Sequence, residues 1–385
     1  MEAILLENIR LTHVRVPFSE PFAVNNGPIT EKDAILIEIK ANGLTGLGEA
    51  SPMAGALYGH HTIDSTWRAL TERLLPRMDE ARDLDLAGEW FAGTVDDPHA
   101  TCGIDAALWD LAARRRGVPL WSLLGGRGDR LIESGLVIGI TPTVDELIER
   151  IDRHLEADGY RRVKIHVRPG WDVEPLEAVR IRFGRMPLMA DAGGTYTREH
   201  IAHLASWDRF GLLMIEQPLP RDDLDGHAEL SARCRTPICL DVSVESPEAF
   251  TRAIRLRAGR IASIRLQRLG GFFAALRIHE LAREADLGCW MGATPELGVG
   301  STAAIHFATL PNMVYPTDVD ASHRWFVADI TDPPVGCHNG LLSVPGGMGL
   351  GVRLNAEIVR RYRIREWTNE LHCKLAGALP SSRSA

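Results

Sequence analysis

The sequence contains no uninterrupted run of about eighteen apolar residues, so no segment of it reads as a membrane span. It has no Cys-x-x-Cys pair; the six cysteines (102, 234, 239, 289, 337 and 373) are scattered. In a chain of this length they read as buried thiols of a cytosolic protein, not as a disulfide framework. No Lys/Arg run longer than the three of Arg114-Arg115-Arg116 is present, and 43 basic against 51 acidic residues leave a net charge of −8. That balance makes a poor nucleic-acid binder. The start, Met1-Glu2-Ala3-Ile4-Leu5-Leu6-Glu7, lacks the charged-then-apolar pattern of a secretory leader, so a cytoplasmic protein is expected. What the chain does have is 385 residues, 45% of them apolar, enough for a large core and two to three domains.

The first 60 residues read as β-structure. Segments 5–17 and 33–41 carry partly alternating, β-branched residues, and Asn42-Gly43 turns the second into a hairpin partner at 44–50. From about 63 to 123 the period becomes helical. Ile104, Ala107, Leu108, Leu111 and Ala112 form the stripe of a helix with one buried face. Gly125-Gly126 closes this block, which predicts an α+β domain over 1–126, completed by a C-terminal return at about 340–375. Beyond it, strands are expected at 134–140, 161–167, 187–191, 212–216, 237–241, 261–265, 287–292 and 314–319, with amphipathic helices between nearly all of them. That pattern predicts an α/β fold, a parallel barrel over 127–339. The tail from Leu375 to Ala385 is expected to fray.

Polar residues interrupt the apolar strands at regular marks: His166, Asp191, Glu216, Asp241 and Arg265, spaced 25, 25, 25 and 24 apart. Since one βα unit takes about that length, all five are expected at one height, at the C-terminal strand ends where barrel active sites form. Three carboxylates converging there suit Mg²⁺, with Mn²⁺ as a substitute, because uncompensated they would repel one another and force a protonation. The alternative is that each caps the next helix or pairs with an arginine.

These residues carry a resemblance. Pro17-Phe18, Gly48-Glu49-Ala50, Ala107-Leu108-Trp109-Asp110-Leu111, Pro119 to Gly126, Pro169-Gly170-Trp171-Asp172, Ile215-Glu216-Gln217-Pro218-Leu219, Leu269-Gly270-Gly271, Ser322 and Trp325-Phe326 together resemble the enolase superfamily. The likeness is to its muconate-lactonizing subgroup, nearest to the o-succinylbenzoate synthase and N-acylamino acid racemase families. The resemblance implies a capping domain over a (β/α)₇β TIM-like barrel and Mg²⁺ on Asp191, Glu216 and Asp241. It also implies abstraction of a proton α to the carboxylate of a small-molecule substrate by a lyase or isomerase, which is commonly a symmetric homo-oligomer.

The chain departs from that pattern where the chemistry is done. The second lysine of the Lys-x-Lys motif is His166, in Lys164-Ile165-His166, and the sixth-strand lysine is Arg265. Gly193 stands where Asn is usual and Val242 where Glu is usual. His166 is therefore expected as the proton-transfer group. Arg265 is a poor proton shuttle and is expected to clamp a carboxylate or pair with Asp241, and Lys164 to touch the substrate carboxylate. By resemblance, Glu296 lines the substrate pocket, and Asn26 and Tyr58 lie in loops that close over it. His60 and His61 read as solvated loop residues, Asp318 and Asp320 as turn caps, His279 and His306 as surface or satisfied core, and the tryptophans as packing. A catalytically silent member that binds a small carboxylate is the second reading.

Overall fold

The computed structural model describes residues 4–24, 27–53, 59–81, 83–84 and 96–375. Asn26, Tyr58 and the tail beyond Leu375 lie outside the described residues.

The chain begins with an antiparallel sheet of β1 (Asn8–Val24), β2 (Gly27–Ala41) and β3 (Leu44–Ala50). Asn42 and Gly43 make the hairpin turn with φ of 47° and 74°, and Ala41 pairs with Leu44 as the Asn-Gly signal requires. The helix Pro98–Arg116 packs on β3. It starts where Asp97 caps it, the Oδ1 accepting from the N–H groups of His99 and Ala100, and stops at left-handed Gly117. The expected single buried stripe is instead burial on every face from His99 to Ala113. The helix is sandwiched between the sheet and the helices Leu266–Leu269 and Phe272–Glu284, leaving it no solvent side. Glycine permits the approach: a Cβ on Gly48 would lie 1.9 Å from the Gly103 carbonyl oxygen.

Seven parallel strands follow: β4 (Leu136–Ile138), β5 (Val163–His166), β6 (Leu188–Asp191), β7 (Met214–Glu216), β8 (Ile238–Leu240), β9 (Ile261–Ile264) and β10 (Gly288–Met291). They lie in sequence order in one curled sheet. The segment expected as an eighth strand, 314–319, is not a regular strand. Isolated bridges join Met313 to Cys289 and Thr317 to Ser134, so it spans the seam between β10 and the start of the barrel without a continuous ladder. Inside, Met189, Met214, Cys239, Ile261 and Trp290 form a dry floor. The chain then returns as β11 (Arg363–Glu370), antiparallel to β1.

Trp109, Trp207 and Trp290 are fully buried, as packing residues should be. His279 and His306 are buried too; His306 receives the Trp121 N–H at Nδ1 and lies 3.0 Å from the Leu350 carbonyl through Nε2. All six cysteines are free, five of them buried. Among the described residues no helix is long and apolar enough to cross a membrane.

Candidate active site

The strand ladder positions the polar marks. His166 pairs with Asp191, Asp191 with Glu216 and Glu216 with Cys239; Cys239 in turn pairs with Ile261. Asp241 therefore stands two residues above that level and Arg265 four. Because barrel strands tilt, hydrogen-bonded partners drift along the axis from strand to strand, and a shift of four residues over the four steps from β5 to β9 is what a barrel's shear of about one residue per strand requires. Shifts of two and four preserve the face: His166, Asp191, Asp241 and Arg265 all line one pocket, and Glu216 is fully buried beside them, 2.9 Å from Lys164 Nζ.

Around it stands a dense set of charges. Lys164 is buried, and its Nζ lies 2.5 Å from Asp318, 2.9 Å from Glu216 and 3.3 Å from Asp191. Burial pulls the Lys164 pKa down, but Asp318, Glu216 and Asp191 outweigh it and hold the ammonium well above its ordinary value. Arg162, also buried, donates to the other Asp318 oxygen at 2.8 Å. Asp241 belongs to two arginines. Arg265 Nε donates to its Oδ1 at 2.7 Å, and Arg268 donates to Oδ1 and Oδ2 at 2.9 and 3.0 Å. Burial raises the Asp241 pKa, yet the two guanidinium groups hold it far below the carboxylate range. Glu216 goes the other way: burial first, then the charge of Asp191, pushes it well up. Its Oε1 is buried without a hydrogen-bond partner.

His166 faces the pocket with its side chain 28% exposed, and its Nε2 is 3.7 Å from Asp191, too far for a hydrogen bond. Burial depresses its pKa, with Asp191 only partly offsetting, which favours the neutral imidazole. Glu296 is buried in the opposite wall, where Thr294 approaches it at 3.3 Å. Burial pushes its pKa up to about 7. These groups line a cavity of about 80 Å³. A second cavity of about 680 Å³ shares Arg265 and Arg268 with it and is lined also by His60, His61 and His99. His61 is not solvated as expected; it is half-buried, 3.2 Å from Asp97.

Asp191, Glu216 and Asp241 thus lie together, each with a lysine or arginine nitrogen within 3.3 Å. Among the described residues, no group of three or more His, Cys, Asp or Glu side chains is arranged to hold a metal ion. Lysine and arginine nitrogens hold Glu216 Oε2 and both Asp241 oxygens, the Gly193 N–H holds Asp191 Oδ1, and Glu216 Oε1 is without a hydrogen bond. Asp318, expected as a turn cap, is a full member of the cluster. Asp320 does receive the Ala321 N–H, but it also accepts from the buried Tyr160 hydroxyl. Asp318 had a signal, since it ends the expected eighth strand as the other acids end theirs. Arg162 and Arg268 had none, because nothing in a lone arginine's neighbours reveals that it turns inward.

Comparison with known proteins accounts for the architecture. Residues 7–125 match the mandelate racemase/muconate lactonizing enzyme N-terminal domain, and residues 146–358 the enolase C-terminal domain-like family. The chain is 40% identical to an o-succinylbenzoate synthase of Geobacillus kaustophilus over 363 residues, 94% of this chain and 96% of that protein. It is 38% identical to an N-succinylamino acid racemase of Thermus thermophilus over 359 residues, 92% and 96% of the two chains. A probable mandelate racemase from Alicyclobacillus acidocaldarius superposes with a TM-score of 0.89 at 35% identity, covering 95% of this chain and all of that one. The chain belongs to the enolase superfamily, in its mandelate racemase and muconate lactonizing branch, and is an enzyme of the lyase and isomerase kind.

Proposed function

We propose that this enzyme removes the proton α to the carboxylate of a small substrate, with His166 as the group that takes it. The observation that carries the reading is the contrast in the pocket. Lys164 is locked as an ammonium by three carboxylates and Arg265 is permanently charged, while burial favours the neutral form of His166, which is exposed to the cavity. Members of the superfamily are generally Mg²⁺-dependent. The side chains here do not fit a metal, so no step is assigned to one.

The steps use the chain's own groups. The Cα–H proton passes to His166, and its electron pair moves into the carboxylate to form an enediolate. The charge that develops on the carboxylate oxygens is met by the Arg265 guanidinium and by Glu296, whose elevated pKa leaves a large fraction protonated at pH 7 and able to donate. The imidazolium then protonates a departing β-hydroxyl, which leaves as water in a syn elimination, or the reaction runs as a cycloisomerisation in which the same group moves the proton. One base suffices for either course. The small cavity takes the carboxylate end, and the larger one has room for the remainder, consistent with an N-acylamino acid or a cyclohexadiene carboxylate.

The test is isotope exchange. A panel of N-succinylamino acids and hydroxy acids incubated with the protein in D₂O should show α-deuteration by NMR, lost in His166→Ala. Absence of exchange across the panel would overturn the proposal and leave a carboxylate-binding protein as the reading.

A further inference from the structure

The guanidinium of Arg265 lies where the three carboxylates would otherwise need a counter-ion. Its Nε is 2.7 Å from Asp241 Oδ1, its Nη2 is 3.6 Å from Glu216 Oε1, and its Nη1 donates to the Ala293 carbonyl at 2.6 Å. An arginine nitrogen thus stands 3.6 Å from the one Glu216 oxygen that lacks a hydrogen bond. We infer that Arg265 is the resident cation of this pocket, and that it closes the Asp191–Glu216–Asp241 cluster to divalent metal ions.

Three independent features support this. First, the backbone has made space for the side chain. Gly292, at the end of β10, is the residue the guanidinium passes; a Cβ there would lie 2.9 Å from Arg265 Nε and 2.5 Å from Ser263 Oγ. Second, both oxygens of Asp241 are already held, because Arg268 forks onto them from the other side. Third, the cluster already holds its own cations: Asp191, Glu216, Asp241 and Asp318 each lie within 3.3 Å of Lys164, Arg162 or Arg265, so a dication would have to displace a bound ammonium or guanidinium.

The identity of the residue matters. A lysine at this position could swing away or lose its proton to admit a metal. Arginine does neither readily: its guanidinium is held by hydrogen bonds to Asp241 and the Ala293 carbonyl, and it stays protonated throughout the accessible pH range.

The experiment is metal binding by the intact protein, read without reference to turnover. Purified wild type, Arg265→Gln and Arg265→Lys are titrated with Mn²⁺ by electron paramagnetic resonance and with Mg²⁺ by calorimetry, and melted with and without 10 mM Mg²⁺. The wild type should carry no stoichiometric metal, bind neither ion with a Kd below about 5 mM, and show no Mg²⁺-dependent rise in Tm. Arg265→Gln should gain a Mn²⁺ site at least tenfold tighter. Arg265→Lys serves the same purpose should the glutamine variant fold poorly. Saturable sub-millimolar binding by the wild type would overturn the inference. So would folded variants that bind no better than wild type, since the exclusion would then not be the guanidinium's doing.

Discussion

The helix Gly298–Ala308 begins without a cap of its own, because Leu297 at the N-cap has no side-chain acceptor. The cap comes from the N-terminal sheet. Glu49, at the end of β3 and only 1% exposed, accepts the Leu297 N–H at one carboxylate oxygen and the Gly300 N–H at the other, each at 2.8 Å. Removing it in Glu49→Ala forfeits two hydrogen bonds to a charged acceptor, each worth ~1.5–3 kcal/mol, and strands two buried N–H groups. Relief of a carboxylate that burial itself disfavours returns part of this, leaving a net loss of about 3 kcal/mol. With ~2.1 cal/mol/K of unfolding entropy per residue, the 385-residue chain converts that into a fall in Tm of about 4 °C. Glu49→Gln keeps one acceptor and turns an amide toward the other N–H, so its Tm should fall about half as far. Scanning calorimetry measures both, and amide exchange at Leu297 and Gly300 should rise in step. A Glu49→Ala protein melting within 1 °C of wild type would refute the idea that this clasp carries stability.

Other outcomes follow from the same packing. Gly48→Ala puts its Cβ 1.9 Å from a backbone oxygen of the cap helix, and should cost at least ~3 kcal/mol in urea unfolding. Gly43→Ala, whose Cβ meets nothing, should cost only about 1 kcal/mol for its φ of 74°. Asp105 is buried against the Phe272 N–H, and burial lifts its pKa from 3.8 to about 7. A raised folded-state pKa means stability that is complete below pH 4 and is lost as pH climbs to 7. The stability gained by Asp105→Asn over wild type should therefore grow by about 1.4 kcal/mol per pH unit between 5 and 7, then level off; a pH-independent difference would contradict this. His306 works in the opposite sense. Burial lowers its pKa from 6.5 to about 4, so wild-type stability should decline as pH falls through that window. Replacing it with Leu strands the Trp121 N–H and should cost about 2–3 kcal/mol while flattening that decline.

Much of the site was visible as spacing. Strand ends marked by Asp191, Glu216, Asp241 and Arg265 recur because each βα unit consumes a near-constant length of chain, and that is a property of one-dimensional order. The Asn42-Gly43 hairpin was equally readable, since the turn's positive φ values are a local requirement. The stagger was not readable, because it depends on how neighbouring strands slide as the sheet closes. Nor were the Glu49 clasp, 248 positions from its partner at Leu297, and the inward turn of Arg162 and Arg268.

The sequence by itself thus determined the order of elements, the face on which polar residues emerge and the identity of His166 and Arg265 at two of those strand ends. Only the tertiary structure decided what those residues do to each other. Whether an acid at a strand end meets a metal, a lysine or an arginine is settled within about 4 Å by side chains from different strands, and such distances have no counterpart along the chain.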